Sequence, residues 1–207
     1  MENKEYLHLL DSLRAVAVTL VLIYHLDSSI LPGGYLGVDV FFVLSGFLIT
    51  HRLKMKKGPV IPFLIEFYRR RLLRLAPMSI LVLACAFGLA YFLLPATDFY
   101  DFAEIARSIM FFSANIVLLN QADYFDALSE LKPLVHYWSL SLEEQFYLIY
   151  PALFFLPSTT YWRKRFIVIA AFASLITYIF LESYGYDSSA FYLPLSRSWE
   201  LLAGGLL

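Results

Sequence analysis

Arg14 and His25 close the two ends of the stretch RAVAVTLVLIYH, and the ten residues between them carry no charge. Eleven residues at about 100° each come to about 1100°, three turns plus roughly 20°, so both side chains share one helix face, about 16 Å apart along the axis. A charged or titratable side chain inside a membrane span faces protein or water and marks a functional site by default. Imidazole near neutrality suits general-base chemistry. For either residue alone the competing reading is interfacial: Arg14 snorkels to lipid headgroups and His25 sits at the far boundary. Their common face favours a shared cavity.

Three further stretches bear groups with chemistry. In GGYLGVDVFFVLSGFLIT (33–50), Gly33, Gly34 and Gly37 permit a tight turn, Ser45 and Gly46 allow a helix or ligand to approach closely, and Asp39 needs a partner. In FYRRRLLRLAP (67–77), Arg70 and Arg74 are four apart and Arg71 and Arg74 three apart, so either pair shares a face. Guanidinium groups suit phosphate through paired planar hydrogen bonds, although a basic cluster beside a span also meets lipid phosphate. In HYWSLSLEEQFYLIYP (136–151), Ser141 followed by Glu144 reads as a capping box at a helix start, with Glu143 and Glu144 near the positive end of the helix dipole. Adjacent carboxylates diverge by about 100°, so one is expected to turn into the bundle, towards His25, Arg14 or Arg197.

The elements that must position these groups are membrane helices. The 207 residues are 60% hydrophobic and only 16% charged, with a mean hydropathy of +0.66, too apolar for a soluble domain. A net charge of -1 argues against nucleic acid as a partner, and the single cysteine, Cys85, forms no internal disulfide. Apolar stretches fall near Leu13–Leu26, Gly37–Leu53, Leu72–Leu94, Ile105–Leu119, Phe146–Leu156, Phe166–Leu181 and Trp199–Leu207. They predict an all-α, polytopic transmembrane bundle of about six to seven segments, forming one domain over residues 1–207. The first run is read as an uncleaved helix: Glu2 and Glu5 dilute the basic start and no small-residue cleavage site follows.

The basic residues from Arg52 to Arg74 place that loop, and with it the N-terminus, in the cytoplasm; Arg163, Lys164 and Arg165 belong on the same side, and Asp98 and Asp101 opposite. An odd number of crossings must then separate Asp101 from Arg163. Ile105–Leu119, short and interrupted by Ser113 and Asn115, is expected to be re-entrant or interfacial.

Taken together and in order, RAVAVTLVLIYH, GVDVFFVLSGFLIT, FYRRRLLRLAP, WSLSLEEQFYLIYP and RSWELLAG (197–204) resemble the acyltransferase-3 family of membrane O-acyltransferases. The resemblance implies acetyl transfer from cytoplasmic acetyl-CoA, a cosubstrate rather than a resident cofactor, to hydroxyls of surface polysaccharide, O-antigen, peptidoglycan or exported small molecules. It implies His25 as the catalytic histidine, as general base or through an acyl-histidine, with Arg14 as its motif partner and Glu143 or Glu144 in the site region. Arg71 and Arg74, with Arg70 beside them, would meet the coenzyme phosphates. Asp39, Ser45 and Arg197 are expected on the acceptor side, and no metal is expected. The setting implied is the cytoplasmic membrane, with lipid, acyl-CoA and a glycan or lipid-linked saccharide as partners. Family members usually have more spans, so an incomplete bundle lacking C-terminal helices is expected. Competing readings are a proton-coupled transporter, disfavoured by the lack of an internal repeat, and a non-catalytic fragment or membrane scaffold, which needs no His25.

Overall fold

A computed structural model describes residues 2–122, 133–157 and 159–207, and no strand occurs among them. The elements are α1 (Glu2–Leu26), a 3-10 turn (Gly34–Leu36), α2 (Gly37–Lys54), α3 (Val60–Leu93), α4 (Ala96–Met110), α5 (Ala114–Ala122), α6 (Tyr137–Phe154), α7 (Thr160–Ser183), α8 (Asp187–Tyr192) and α9 (Pro194–Leu206). The expected all-α architecture is the one observed. Among the described residues, four helical stretches are long and apolar enough to cross a membrane: Leu9–Leu26, Gly34–Lys54, Val60–Leu93 and Thr160–Ser183. Leu22, Ile80 and Phe172, from three of them, point outward, as lipid-facing side chains do.

The direction of each helix follows from which residues meet. Gly34 approaches Leu20 and Tyr24 while Gly37 approaches Ala17 and Val21, so α1 and α2 form an antiparallel hairpin. Ser45 meets Glu143 and Thr50 meets Tyr150, so α6 runs parallel to α2. Asp39 meets Arg197 and Thr50 lies beside Gly205, so α9 runs the same way. Arg71 meets Glu144 and Tyr68 meets the Leu148 carbonyl, which makes α3 antiparallel to α6. One end of the bundle therefore gathers His25, Asp39 and His136, and the other gathers Lys54, Lys56 and Arg163.

Two expectations about the middle of the chain are refined. Ile105–Leu119 is not one helix: α4 ends at Met110, Phe112 takes a left-handed φ of 52°, and α5 begins at Ala114. Protein satisfies the broken backbone, as it must within an apolar layer. Gln145 Nε2 donates to the Phe112 carbonyl at 2.6 Å and to Asn115 Oδ1 at 2.8 Å, and the Ser113 amide donates to the Ser108 carbonyl at 2.9 Å. The capping box at Ser141 is a correction. α6 starts a turn earlier, at Tyr137, with His136 at its N-cap and no side-chain cap. Ser141 is buried inside the helix, where its Oγ accepts the Ala114 amide at 3.3 Å. It satisfies the open first turn of α5 instead.

α2 and α9 touch backbone to backbone. A Cβ on Gly46 would lie 1.7 Å from the Leu201 carbonyl oxygen, and one on Gly204 would lie 1.9 Å from the Val43 carbonyl oxygen. Only small residues permit such an approach between membrane helices. Gly46→Ala is therefore expected to force α2 and α9 apart and to lower the thermal midpoint of the purified protein in detergent, with a cost above the about 1–3 kcal/mol of ordinary overpacking. Gly88→Ala in α3, where a Cβ meets nothing within 4 Å, should leave the midpoint unchanged or raise it, because alanine is the better helix former.

Candidate active site

At the His25 end, the last turn of α1 delivers an exposed imidazole. Its Nδ1 lies 2.8 Å from the Val21 carbonyl. A carbonyl only accepts, so Nδ1 donates to it, and in the neutral tautomer that fits this bond Nε2 is the basic nitrogen. The ring packs edge-on against His136, with centroids 4.6 Å apart. Burial, and after it the charge of His25, push the His136 imidazole below its ordinary value. His136 precedes the first residue of α6, and the helix dipole there disfavours a positive charge as well. The pair thus offers one basic nitrogen beside a second, reluctantly protonated ring.

Below it, Arg71 from α3 reaches into the bundle. Its Nε lies 2.8 Å from both Oε1 and Oε2 of Glu144, and its Nη2 also contacts Glu144 Oε1. The same Nη2 lies 3.5 Å from Glu143 Oε1, which accepts the Ser45 hydroxyl at 2.6 Å. The guanidinium carbon stacks 3.3 Å from the centroid of the Tyr147 ring, whose hydroxyl donates to the Ser45 carbonyl at 3.1 Å. Three helices meet here: α2 with the small Ser45, α3 with Arg71, and α6 with the two carboxylates and the tyrosine one turn below them. From His136 to Glu144 is eight residues, about 12 Å along α6.

A second ion cluster lies between α2 and α9. Arg197 Nη2 is 2.5 Å from Asp39 Oδ1 and Nη1 is 3.0 Å from Glu200 Oε1. The guanidinium carbon is 5.7 Å from the Phe191 ring and 5.9 Å from those of Phe42 and Trp138. Trp138 stands two residues after His136, so a short aromatic layer joins this cluster to the His25 pair.

The residues singled out from sequence are thus partly brought together. Ser45, Arg71, Glu143 and Glu144 form one network, and Asp39 and Arg197 another. Arg14 is half-buried, with a buried Nε that has no hydrogen-bond partner among the described residues, and it has no hydrogen bond to His25 or His136 there. Arg70 turns back to Glu66 on its own helix. Arg74 is exposed and has no ion pair among the described residues. The expectation that a glutamate would turn to His25, Arg14 or Arg197 is corrected: both Glu143 and Glu144 reach Arg71, because a long guanidinium spans the angle between adjacent helix positions. His136, Tyr147 and Glu200 were not singled out. The signal for the first two lay within HYWSLSLEEQFYLIYP, where a histidine opens the helix and Tyr147 follows Glu143 at four-residue spacing.

Residues 7–207 match the acyltransferase-3 family, described as an acyltransferase domain. The chain is similar to the O-acetyltransferase OatA of Staphylococcus aureus (strain NCTC 8325 / PS 47), with 40% identity over 153 residues, 73% of this chain and 25% of that protein. It is similar to a putative O-acetyltransferase of Staphylococcus aureus (strain COL), again 40% identical, over 154 residues, with the same coverage of both chains. It spans about a quarter of the length of these curated relatives. No solved structure matches it.

The Arg71 network generates a direct stability test. Removing one member of a largely buried ion pair leaves the other without compensation. Arg71→Ala is expected to cost about 3 kcal/mol in a denaturant titration in detergent, whereas Arg74→Ala should change the midpoint little. In a double-mutant cycle with Glu144→Ala, the two losses should not add.

Proposed function

The chain belongs to the acyltransferase-3 family, and on that premise we propose that it forms the membrane core of an O-acetyltransferase that moves an acetyl group from acyl-CoA at its basic end to a hydroxyl of a surface or exported glycan at its His25 end. The observation that carries this reading is the His25 geometry. A side chain presented at the exposed end of a membrane helix, with Nδ1–H tied to the Val21 carbonyl, has Nε2 available to a hydroxyl arriving from solvent.

In the step proposed, His25 Nε2 takes the hydroxyl proton while the oxygen attacks the thioester carbonyl. The tetrahedral intermediate collapses to the acetyl ester and expels the coenzyme thiolate, which takes the proton back from the imidazolium. Atoms and charge balance without a metal or an oxidant. His136 limits the motion of the His25 ring and gives it an aromatic edge to pack against. On the donor side, phosphate binding falls to Arg74, which has no ion pair among the described residues, because Arg71 is already engaged by two carboxylates and Arg69 and Arg70 by Glu66. Arg71 holds α3 against α6 and so sets where Arg74 lies. On the acceptor side, the free edge of Asp39, 32% exposed, and the aromatic layer of Trp138 and Phe191 suit a sugar. The orientation that fits is cytoplasmic for the Lys54, Lys56 and Arg163 end, in the cytoplasmic membrane, with the N-terminus on that side. The relatives' names support the acetyl group; the glycan class comes from the family resemblance.

The test is the ester-linked acetate released by mild alkali from surface glycans of cells producing the chain. His25→Ala is expected to lower it by about 10²–10⁴-fold, the usual yield of a positioned base, with membrane levels of the protein unchanged. Undiminished acetate would overturn the assignment.

A further inference from the structure

Asp39, Arg197 and Glu200 set two carboxylates against one guanidinium inside the bundle. The Glu200 side chain is 1% exposed, and neither of its oxygens has a hydrogen-bond partner among the described residues. The 3.0 Å approach of Arg197 Nη1 to Oε1 brings opposite charges together without the alignment of a hydrogen bond. Among the described residues, the groups facing the cluster add no second positive charge. α2 contributes Asp39, and α9 contributes Arg197. From α7, Tyr178 lies near both Asp39 and Arg197 and donates its hydroxyl to Glu182 at 3.4 Å. Phe42, Trp138 and Phe191 surround the guanidinium with rings. An ionised Glu200 would therefore put two negative charges against one positive in an apolar layer. Burying an uncompensated carboxylate is costlier than binding a proton.

The Arg71 network shows what a solvated alternative looks like. There too one arginine meets two carboxylates, but both Glu144 oxygens accept from the guanidinium, and Glu143 accepts the Ser45 hydroxyl and keeps partial access to solvent. Glu200 has none of these supports. Glu200 and Asp39 meet the same guanidinium, one at each of its terminal nitrogens.

We propose that Asp39 and Glu200 form a proton-binding site: Glu200 is a neutral carboxylic acid that donates its proton to the Asp39 carboxylate, and Arg197 neutralises the single charge the pair retains. Carboxyl pairs that share one proton, and buried acids kept neutral in order to donate a hydrogen bond, are established chemistry. The proton fixes Asp39, the partly exposed member, at the end of the bundle that carries His25. This site is a property of the bundle and does not depend on the acyl-transfer reading.

The test is infrared spectroscopy of the purified full chain in detergent at neutral pH, reading the protonated-carboxyl C=O stretch in H2O and D2O. A component that shifts in D2O is expected in the parent. Glu200→Gln, close in shape to the neutral acid, should remove it. Asp39→Asn should remove it too, because Arg197 then neutralises an ionised Glu200. Glu143→Gln should leave this component in place. Absence of the band from the folded parent, or its survival in folded Glu200→Gln, would overturn the proposal. If Asp39→Asn does not fold, the shape-conserving Glu200→Gln decides alone.

Discussion

A charge within an apolar bundle has to be neutralised where it stands, and most of this structure can be read as the consequence. Arg71 and Arg197 are largely withdrawn from water, so each draws carboxylates from a neighbouring helix: Glu144 and Glu143 from α6, Asp39 from α2. These pairs link helices distant in the chain. Lipid tails are as apolar as leucine, so the hydrophobic effect that packs a soluble core supplies little drive here, and polar contacts with close backbone packing must supply the register. Arg71 fixes α3 on α6, with the Tyr68 hydroxyl bonded to the Leu148 carbonyl at 2.8 Å one turn along. Arg197 fixes α9 on α2, and Gly46 and Gly204 let those two helices meet without side chains between them.

α2 is the helix against which the others are set. Its small residues face three ways: Gly37 towards α1, Ser45 towards α6, Gly46 towards α9. Its first turn carries Asp39, so the same helix that organises packing also places a carboxylate at the end where α1 delivers His25. The functional groups are thus positioned by helix ends and helix crossings rather than by long loops. That is why a histidine from the last turn of α1 and a histidine at the N-cap of α6 come to share a ring contact.

Much of this was legible in the sequence, for identifiable reasons. Hydropathy alone gave the helical class, because backbone in lipid has few other ways to satisfy its hydrogen bonds. The glycines of GGYLG predicted the α1–α2 turn, and the polar residues Ser113 and Asn115 flagged the stretch that proves to be broken. What stayed hidden was pairing. Helical periodicity says which residues share a face but not which helix that face meets. Arg71 and Arg74 look alike at three-residue spacing, yet one is locked by carboxylates and the other is exposed. The capping box at Ser141 misled because the pattern of serine followed by glutamate is local, whereas Ser141 serves a different helix, α5, through a tertiary contact. Glu200 was passed over because nothing in RSWELLAG distinguishes a surface glutamate from one sealed between helices.

The proposed function divides labour among neighbouring arginines, with Arg71 holding the bundle and Arg74 meeting a phosphorylated donor. Equilibrium binding of acetyl-CoA to the purified chain in detergent tests it most directly, since it requires no knowledge of the acceptor. Saturable binding is expected, weakened by Arg74→Ala and left intact by His25→Ala. Absence of saturable binding by the folded chain, or binding indifferent to Arg74→Ala, would contradict it.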